Sequence, residues 1–219
     1  MSNLKVFIVE AFPGADFEYR NMWSMKGFIP VENIDDCDII QYTGGEDVSP
    51  KLYGHSHHRT TSSNPKRDLR EKMIFSLGLK GGKYQVGICR GAQFLNVMCG
   101  GRLFQDVDNH ACRNGHKMYD FLDDKWKWVS STHHQMMQPS SEANIMGASN
   151  ESTVVENCLS PGRETSYYRD PEKDMKLDIE ILHYPKDKVL CFQPHPEYNG
   201  FPDCTKSFFS HVNHLLENC

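Results

Sequence analysis

Gly87-Ile88-Cys89-Arg90-Gly91 follows the apolar run Tyr84 to Ile88 and precedes the helical pattern Ala92 to Cys99. That order is strand, tight turn, helix, with a nucleophile-type side chain at the bend. Glycines two positions before and after Cys89 let the chain reverse without a clash, the logic of a nucleophile elbow. The sulfur is then placed at a helix N-terminus, where unpaired amides and the helix dipole favour thiolate over thiol. A cysteine in such a turn is by itself more often a small buried hydrophobe. A second segment raises its standing: Gln193-Pro194-His195-Pro196-Glu197 supplies an imidazole and a carboxylate one residue apart.

Working outward, strands and helices alternate, the signature of a parallel sheet covered on both faces. Lys5 to Val9 reads as a strand, Phe17 to Met25 as a helix, and Cys37 to Tyr42 as a strand ending at Thr43-Gly44-Gly45. Arg67 to Leu79 carries a helical stripe at Leu69, Met73, Ile74 and Leu77. Lys117 to Leu122 and Lys125 to Val129 flank an Asp123-Asp124 turn as a hairpin, with Trp126 and Trp128 expected to cover an open face of the core. Leu177 to Leu182 alternates and reads as a half-exposed strand; Val189 to Phe192 is a strand, and Thr205 to Leu216 a closing helix. The polar stretch from Asn157 to Lys173 reads as a surface insertion or flap.

The chain has 219 residues, enough for a substantial core, and reads as one domain over 1–219. A net charge of −5, with no Lys or Arg block, argues against nucleic acid as the main partner. No apolar run approaches the length that spans a bilayer, and the N-terminus shows no export signal. The eight cysteines form no dense disulfide framework, so reduced thiols and a cytoplasmic location are expected. Two histidine clusters, His55/His57/His58 and His110/Cys112/His116, lack ligand spacing and read as solvated loops rather than metal sites.

Gly87 to Gln93, through Asn96 to Asp106, resembles the nucleophile motif of the class I glutamine amidotransferases. Thr43-Gly44-Gly45-Glu46-Asp47-Val48-Ser49-Pro50-Lys51-Leu52-Tyr53-Gly54 resembles the oxyanion-loop signature of one branch, the γ-glutamyl hydrolases of peptidase C26, which includes γ-glutamyl-γ-aminobutyrate hydrolases. Arg67-Asp68 and His195-Pro196-Glu197 fit in the same order, so the likeness runs from about Asp38 to Glu197. It implies a single-domain α/β fold, a flavodoxin-like three-layer sandwich with a central, mostly parallel sheet and a Cys nucleophile elbow.

The resemblance also implies roles. Cys89 attacks a γ-carboxamide, His195 moves the proton, and Glu197 orients the imidazole. The N–H groups of Gly45 and Arg90 form the oxyanion hole, beside Gly44. Gln93 is expected near the α-amino or α-carboxylate end of a glutamyl group. Ser131-Thr132-His133-His134-Gln135 resembles the Ser-x-His-x-Gln segment of the branch, which places His133, His134 and Gln135 in the same pocket. Arg90 has an alternative role as a brace beneath the elbow, and Arg67 and Asp68 are expected to brace a helix start, with Asp68 alternatively meeting a substrate amine.

The expected substrate is a small γ-glutamyl compound or glutamine, turned over without metal or other cofactor. Two enzyme readings stand: a free-standing γ-glutamyl amide hydrolase, and the glutaminase subunit of an amidotransferase that feeds ammonia to a separate synthetase or ligase. A third has Cys89 as a redox-sensing thiol, a role that needs neither His195 nor Glu197. The sequence departs from the branch in a short segment before Gly44, in the long polar stretch 157–173, at His134 and at Gln193-Pro194, which leaves the leaving-group side of the pocket open.

Overall fold

Two glycines let the central strand and helix of this fold touch. In the computed structural model, a Cβ on Gly87 would run into the backbone of Gly91, and one on Gly91 into the Tyr42 carbonyl. The structure describes residues 4–149, 169–170 and 175–219. The stretch 157–173 lies outside them apart from Arg169–Asp170.

In chain order the elements are β1 (Lys5–Val9), α1 (Phe17–Met25), β2 (Ile29–Val31), β3 (Ile39–Tyr42), α2 (Pro65–Lys80), β4 (Tyr84–Ile88) and α3 (Arg90–Met98). There follow β5 (Arg102–Phe104), β6 (Ala111–Asp120), β7 (Lys125–Thr132), β8 (Met136–Gln138) and β9 (Asn144–Ser149). The chain closes with β10 (Arg169–Asp170), β11 (Met175–Lys176), β12 (Asp178–Tyr184), β13 (Val189–Phe192) and α4 (Pro202–Asn218). Nine strands form one sheet in the order β2-β1-β3-β4-β13-β12-β9-β6-β7. Its central part, from β2 to β13, is parallel, and an antiparallel wing from β12 to β7 continues it.

Successive side chains of a strand face opposite layers. Val6, Ile8, Ile39, Val86, Ile88 and Phe192 therefore pack with α1 and α4, where Trp23 meets Phe208 and Phe209 edge-on. Val9, Ile40, Tyr42, Val189 and Cys191 pack with α2 and α3 on the other face. The three-layer α/β expectation holds. Among the described residues no helix is long and apolar enough to cross a membrane, and seven cysteines are unpaired.

Several local expectations need correction. β12 is buried on both faces, not half-exposed, because β9 and β13 flank it and both layers cover it. Trp126 and Trp128 cover no core. They lie on the terminal strand β7 with about half their surface open, Trp126 edge-on to Tyr119 and Trp128 donating to the Asn114 carbonyl. Most of the stripe on α2 points outward: Leu69, Met73 and Leu77 are exposed and only Ile74 packs on the core, while Arg67, Asp68, Glu71, Phe75 and Gly78 are buried. His110 and His116 are buried rather than solvated, and so is His55, which packs on Tyr53. Strand β2 was missed; at three residues it is too short to announce itself.

Candidate active site

Cys89 caps α3 with φ 52°, a left-handed conformation that a non-glycine residue seldom adopts without a reason. Its N–H donates to the Phe192 carbonyl (3.0 Å) and its carbonyl accepts from the Gln93 N–H (3.1 Å). The elbow is thereby fixed between β13 and the first turn of α3. Arg90 is the first helical residue, so its amide has no acceptor within the helix.

β13 runs parallel to β4, with Phe192 opposite Ile88. The turn that follows β13 therefore emerges beside the elbow, carrying His195. The His195 ring, Cys89 Cβ and the Tyr19 hydroxyl all surround the bare face of Gly44; a Cβ there would meet them at 3.0, 3.7 and 3.4 Å. His195 Nδ1 lies 2.6 Å from Glu197 Oε1. Burial works against charge on the ring, but Cys89 and then Glu197 overcome it and hold the imidazole well above its ordinary pKa. A proton on His195 is what a thiolate–imidazolium pair requires.

Several supports escaped the sequence reading. Ser130 holds the His195 backbone at both ends, accepting its N–H (2.7 Å) and donating to its carbonyl (3.0 Å). Tyr198 stacks on the His195 ring with centroids 4.4 Å apart. The Tyr19 hydroxyl accepts the Gly44 N–H (3.0 Å), and burial, then the charge of Glu197, push its phenol far up, so it stays protonated. No local pattern marks these residues; only the fold brings them to the site.

Arg67 corrects an expectation. Its own N–H is capped by Asn64, but its guanidinium leaves the helix start and takes the carbonyls of Thr43 and Gly44, both at 2.9 Å. In a trans peptide C=O and N–H point opposite ways. Anchoring the Gly44 carbonyl therefore aims the Gly45 N–H away from Arg67. Gly45 has φ 135°, and a Cβ there would strike the guanidinium. Gly44 and Gly45 line a cavity of about 760 Å³ together with Tyr19, His195 and Glu197.

Beneath the elbow, Arg90 pairs with Asp68 and Glu71, and Glu71 also accepts from Arg67 (2.7 Å). Asp68 takes the Ser49 N–H as well (3.2 Å) and is buried, so it offers no rim position to a substrate amine. The brace role of the Arg90 side chain is what this geometry describes.

The remaining candidates are placed as follows. Both N–H bonds of Gln93 are used, on the Gln135 carbonyl (3.1 Å) and Gln193 Oε1 (3.2 Å), which leaves it only an acceptor for a ligand. His133 is buried, with Nδ1 2.7 Å from the Gln135 carbonyl. Gln135 is buried and donates to Thr61 (3.3 Å). His134 is turned to Asp47 (3.0 Å) and Asp106 (3.6 Å), and the Asp47 hydrogen bond raises its pKa. It thus ties down the signature loop.

A family model for peptidase C26 matches residues 29–168. The chain belongs to the peptidase C26 family. Relatives within reach of direct comparison include the NtpR protein of Enterococcus hirae, 41% identical over 78 residues, which are 35% of this chain and 33% of that one. The glutamine amidotransferase-like protein YvdE of Lactococcus lactis is 41% identical over 80 residues, 36% and 34% of the two chains. Each match spans about a third of the relative's length. Among solved structures, PurLQS from Thermotoga maritima superposes with a TM-score of 0.62 at 16% identity, covering 98% of this chain and 100% of that one. A glutamine amidotransferase from the same organism gives 0.58 at 14%, covering 99% and 85%. These structures share the fold of this peptidase C26 chain.

Proposed function

We propose that this chain, as one class I glutamine amidotransferase-like domain over 1–219, hydrolyses a γ-glutamyl amide bond through a γ-glutamyl thioester. The Cys89 sulfur attacks the γ-carbonyl, and His195 holds the thiol proton. The developing oxyanion accepts hydrogen bonds from the Gly45 and Arg90 N–H groups. Collapse of the tetrahedral intermediate expels the amine or ammonia, which takes the proton from His195. Water, deprotonated by His195, then attacks the thioester and releases glutamate and the free thiol. Glu197 keeps Nδ1 of the ring protonated, so that Nε2 does the proton transfer. Gln93, with its donors spent, accepts from the substrate α-ammonium, and His133, His134 and Gln135 shape the pocket around it.

One observation carries this reading: the His195 ring and the Cys89 Cβ share the bare face of Gly44, and Glu197 holds Nδ1 of that ring. The relatives described as glutamine amidotransferase-like agree with C–N bond chemistry of this type. A diazoketone analogue of glutamine tests it. Mass spectrometry should locate one adduct on Cys89, absent from Cys89→Ala. An unlabelled Cys89, or full turnover in His195→Ala, defeats the assignment.

A second reading, the glutaminase subunit of a larger amidotransferase, is favoured by the outward apolar stripe of α2 at Leu69, Met73 and Leu77. Such a stripe suits a protein partner. Turnover of glutamine and of γ-glutamyl amides by the isolated chain separates the two. High release of amine from γ-glutamyl amides, with little from glutamine, supports the free-standing hydrolase.

A further inference from the structure

We propose that His110, His133 and Glu180 bind one zinc ion, with His116, which lies outside that mutual set but 3.1 Å from Glu180, drawn in as a fourth ligand on binding. The site uses none of Cys89, His195 and Glu197, and it replaces the expectation that the chain holds no metal.

The wing holds a set of buried polar groups that no hydrogen bond explains. Both ring nitrogens of His110 and of His116, Nε2 of His133 and both carboxylate oxygens of Glu180 are buried without a hydrogen-bond partner. Leaving so many polar atoms unmet in the interior is costly. They are nonetheless close together. His110 Nδ1, His116 Nε2 and His133 Nε2 lie 3.2, 3.1 and 3.9 Å from the same atom, Glu180 Oε1. The first two distances suit hydrogen bonds, yet none forms.

N and O ligands at zinc distances of about 2.0–2.1 Å stand roughly 3.3–3.4 Å apart in a tetrahedron. The three separations bracket that value. Among the described residues, His110, His133 and Glu180 are the only group whose ligand atoms all fall within 4.8 Å of one another.

A metal-bound histidine usually gives its other N–H to a carbonyl or carboxylate, which fixes the tautomer. His133 does so through Nδ1 to the Gln135 carbonyl at 2.7 Å, leaving the Nε2 lone pair facing Glu180. His110 has its second nitrogen, Nε2, 3.4 Å from Asp178 Oδ2.

An all-protein, buried set of this kind is structural rather than catalytic. It joins the entry to β6, the turn after β7, and β12. Glu180 also accepts the Gln193 N–H through its backbone carbonyl (2.8 Å), two residues before His195. The ion would therefore hold the wing that carries Ser130 and its grip on His195.

Protein purified without a histidine tag or chelator is analysed by elemental mass spectrometry and thermal unfolding. About one zinc per chain is expected, retained in Cys89→Ala and largely lost in His133→Ala and Glu180→Gln. Chelation should lower Tm by roughly 5–10 °C, and added zinc should restore it. The wild-type chain decides the matter even if those variants fold poorly. A wild-type chain that takes up no stoichiometric ion from zinc-containing buffer, or whose Tm ignores both chelator and zinc, overturns the site. Loss of the ion from Cys89→Ala with retention in His133→Ala overturns it too.

Discussion

Helices α2 and α3 stand beside each other under the elbow, and they use burial in opposite ways. α3 is buried from Arg90 to Val97, with its apolar residues where apolar residues belong. α2 buries Arg67, Asp68 and Glu71 and shows Leu69, Met73 and Leu77 to solvent. The difference has one cause. The two arginines that anchor the Thr43 and Gly44 carbonyls and brace the Cys89 elbow need carboxylates within the protein, and α2 supplies them. Two cations and the carboxylates of Glu46, Asp68 and Glu71 form one connected set. Site geometry thus takes precedence over the usual amphipathic logic.

The strongest way to break this contrast is to remove its shared carboxylate. Glu71→Ala leaves two buried guanidinium groups short of a partner and should cost about 3–5 kcal/mol in urea unfolding. A loss below about 1 kcal/mol would mean that the pairs add little. Next comes Gly91→Ala in α3, which forces a methyl group against the Tyr42 carbonyl. Overpacking of this kind costs about 1–3 kcal/mol, and turnover should fall with it because the elbow must shift. Arg67→Lys keeps the charge but loses the planar fork across Thr43 and Gly44. A fall in kcat of roughly 10- to 100-fold with little change in KM would place its influence in the transition state.

A finer test concerns the proton on His195. Because Cys89 and Glu197 raise its pKa, the ring should remain protonated as pH rises past the ordinary histidine value of about 6.5. Cys89→Ala removes the first of those raising charges, so the ring's NMR titration midpoint should move down. An unchanged midpoint would separate the sulfur from the ring. The smallest effect belongs to the outer face of α2. Leu69→Gln with Leu77→Gln should alter stability by no more than about 0.5 kcal/mol per site, and under the second reading it would abolish capture of a synthetase while sparing basal turnover.

The sequence made α1, β1 and β4 legible to the residue, because each is a local pattern bounded by glycine, proline or a change of period. It also identified α2 as a helix, since periodicity reports a helix whichever way it faces. It did not show the phase. Leu69 to Leu77 is the apolar stripe, and nothing local says that Arg67 and Glu71 have partners across the interior. Cys89, His195 and Glu197 were singled out through motif order, which survives without coordinates. Ser130 and Tyr19 were not, because each acts on a residue far away in the chain, and Tyr198, three residues after His195, belongs to no pattern that announces its stacking. His110 and His116 were misread for the same reason: their common neighbour, Glu180, comes from a distant strand.

The hydrogen bond from the Cys89 amide to the Phe192 carbonyl is the last rung of a parallel ladder. It makes the gap between Cys89 and the turn bearing His195 a dimension of the scaffold, graduated in strand spacings, and independent of whichever loops happen to roof the chamber. Under the proposed hydrolysis, replacing those loops wholesale would retarget the protein to another amine while the two side chains keep their gauge.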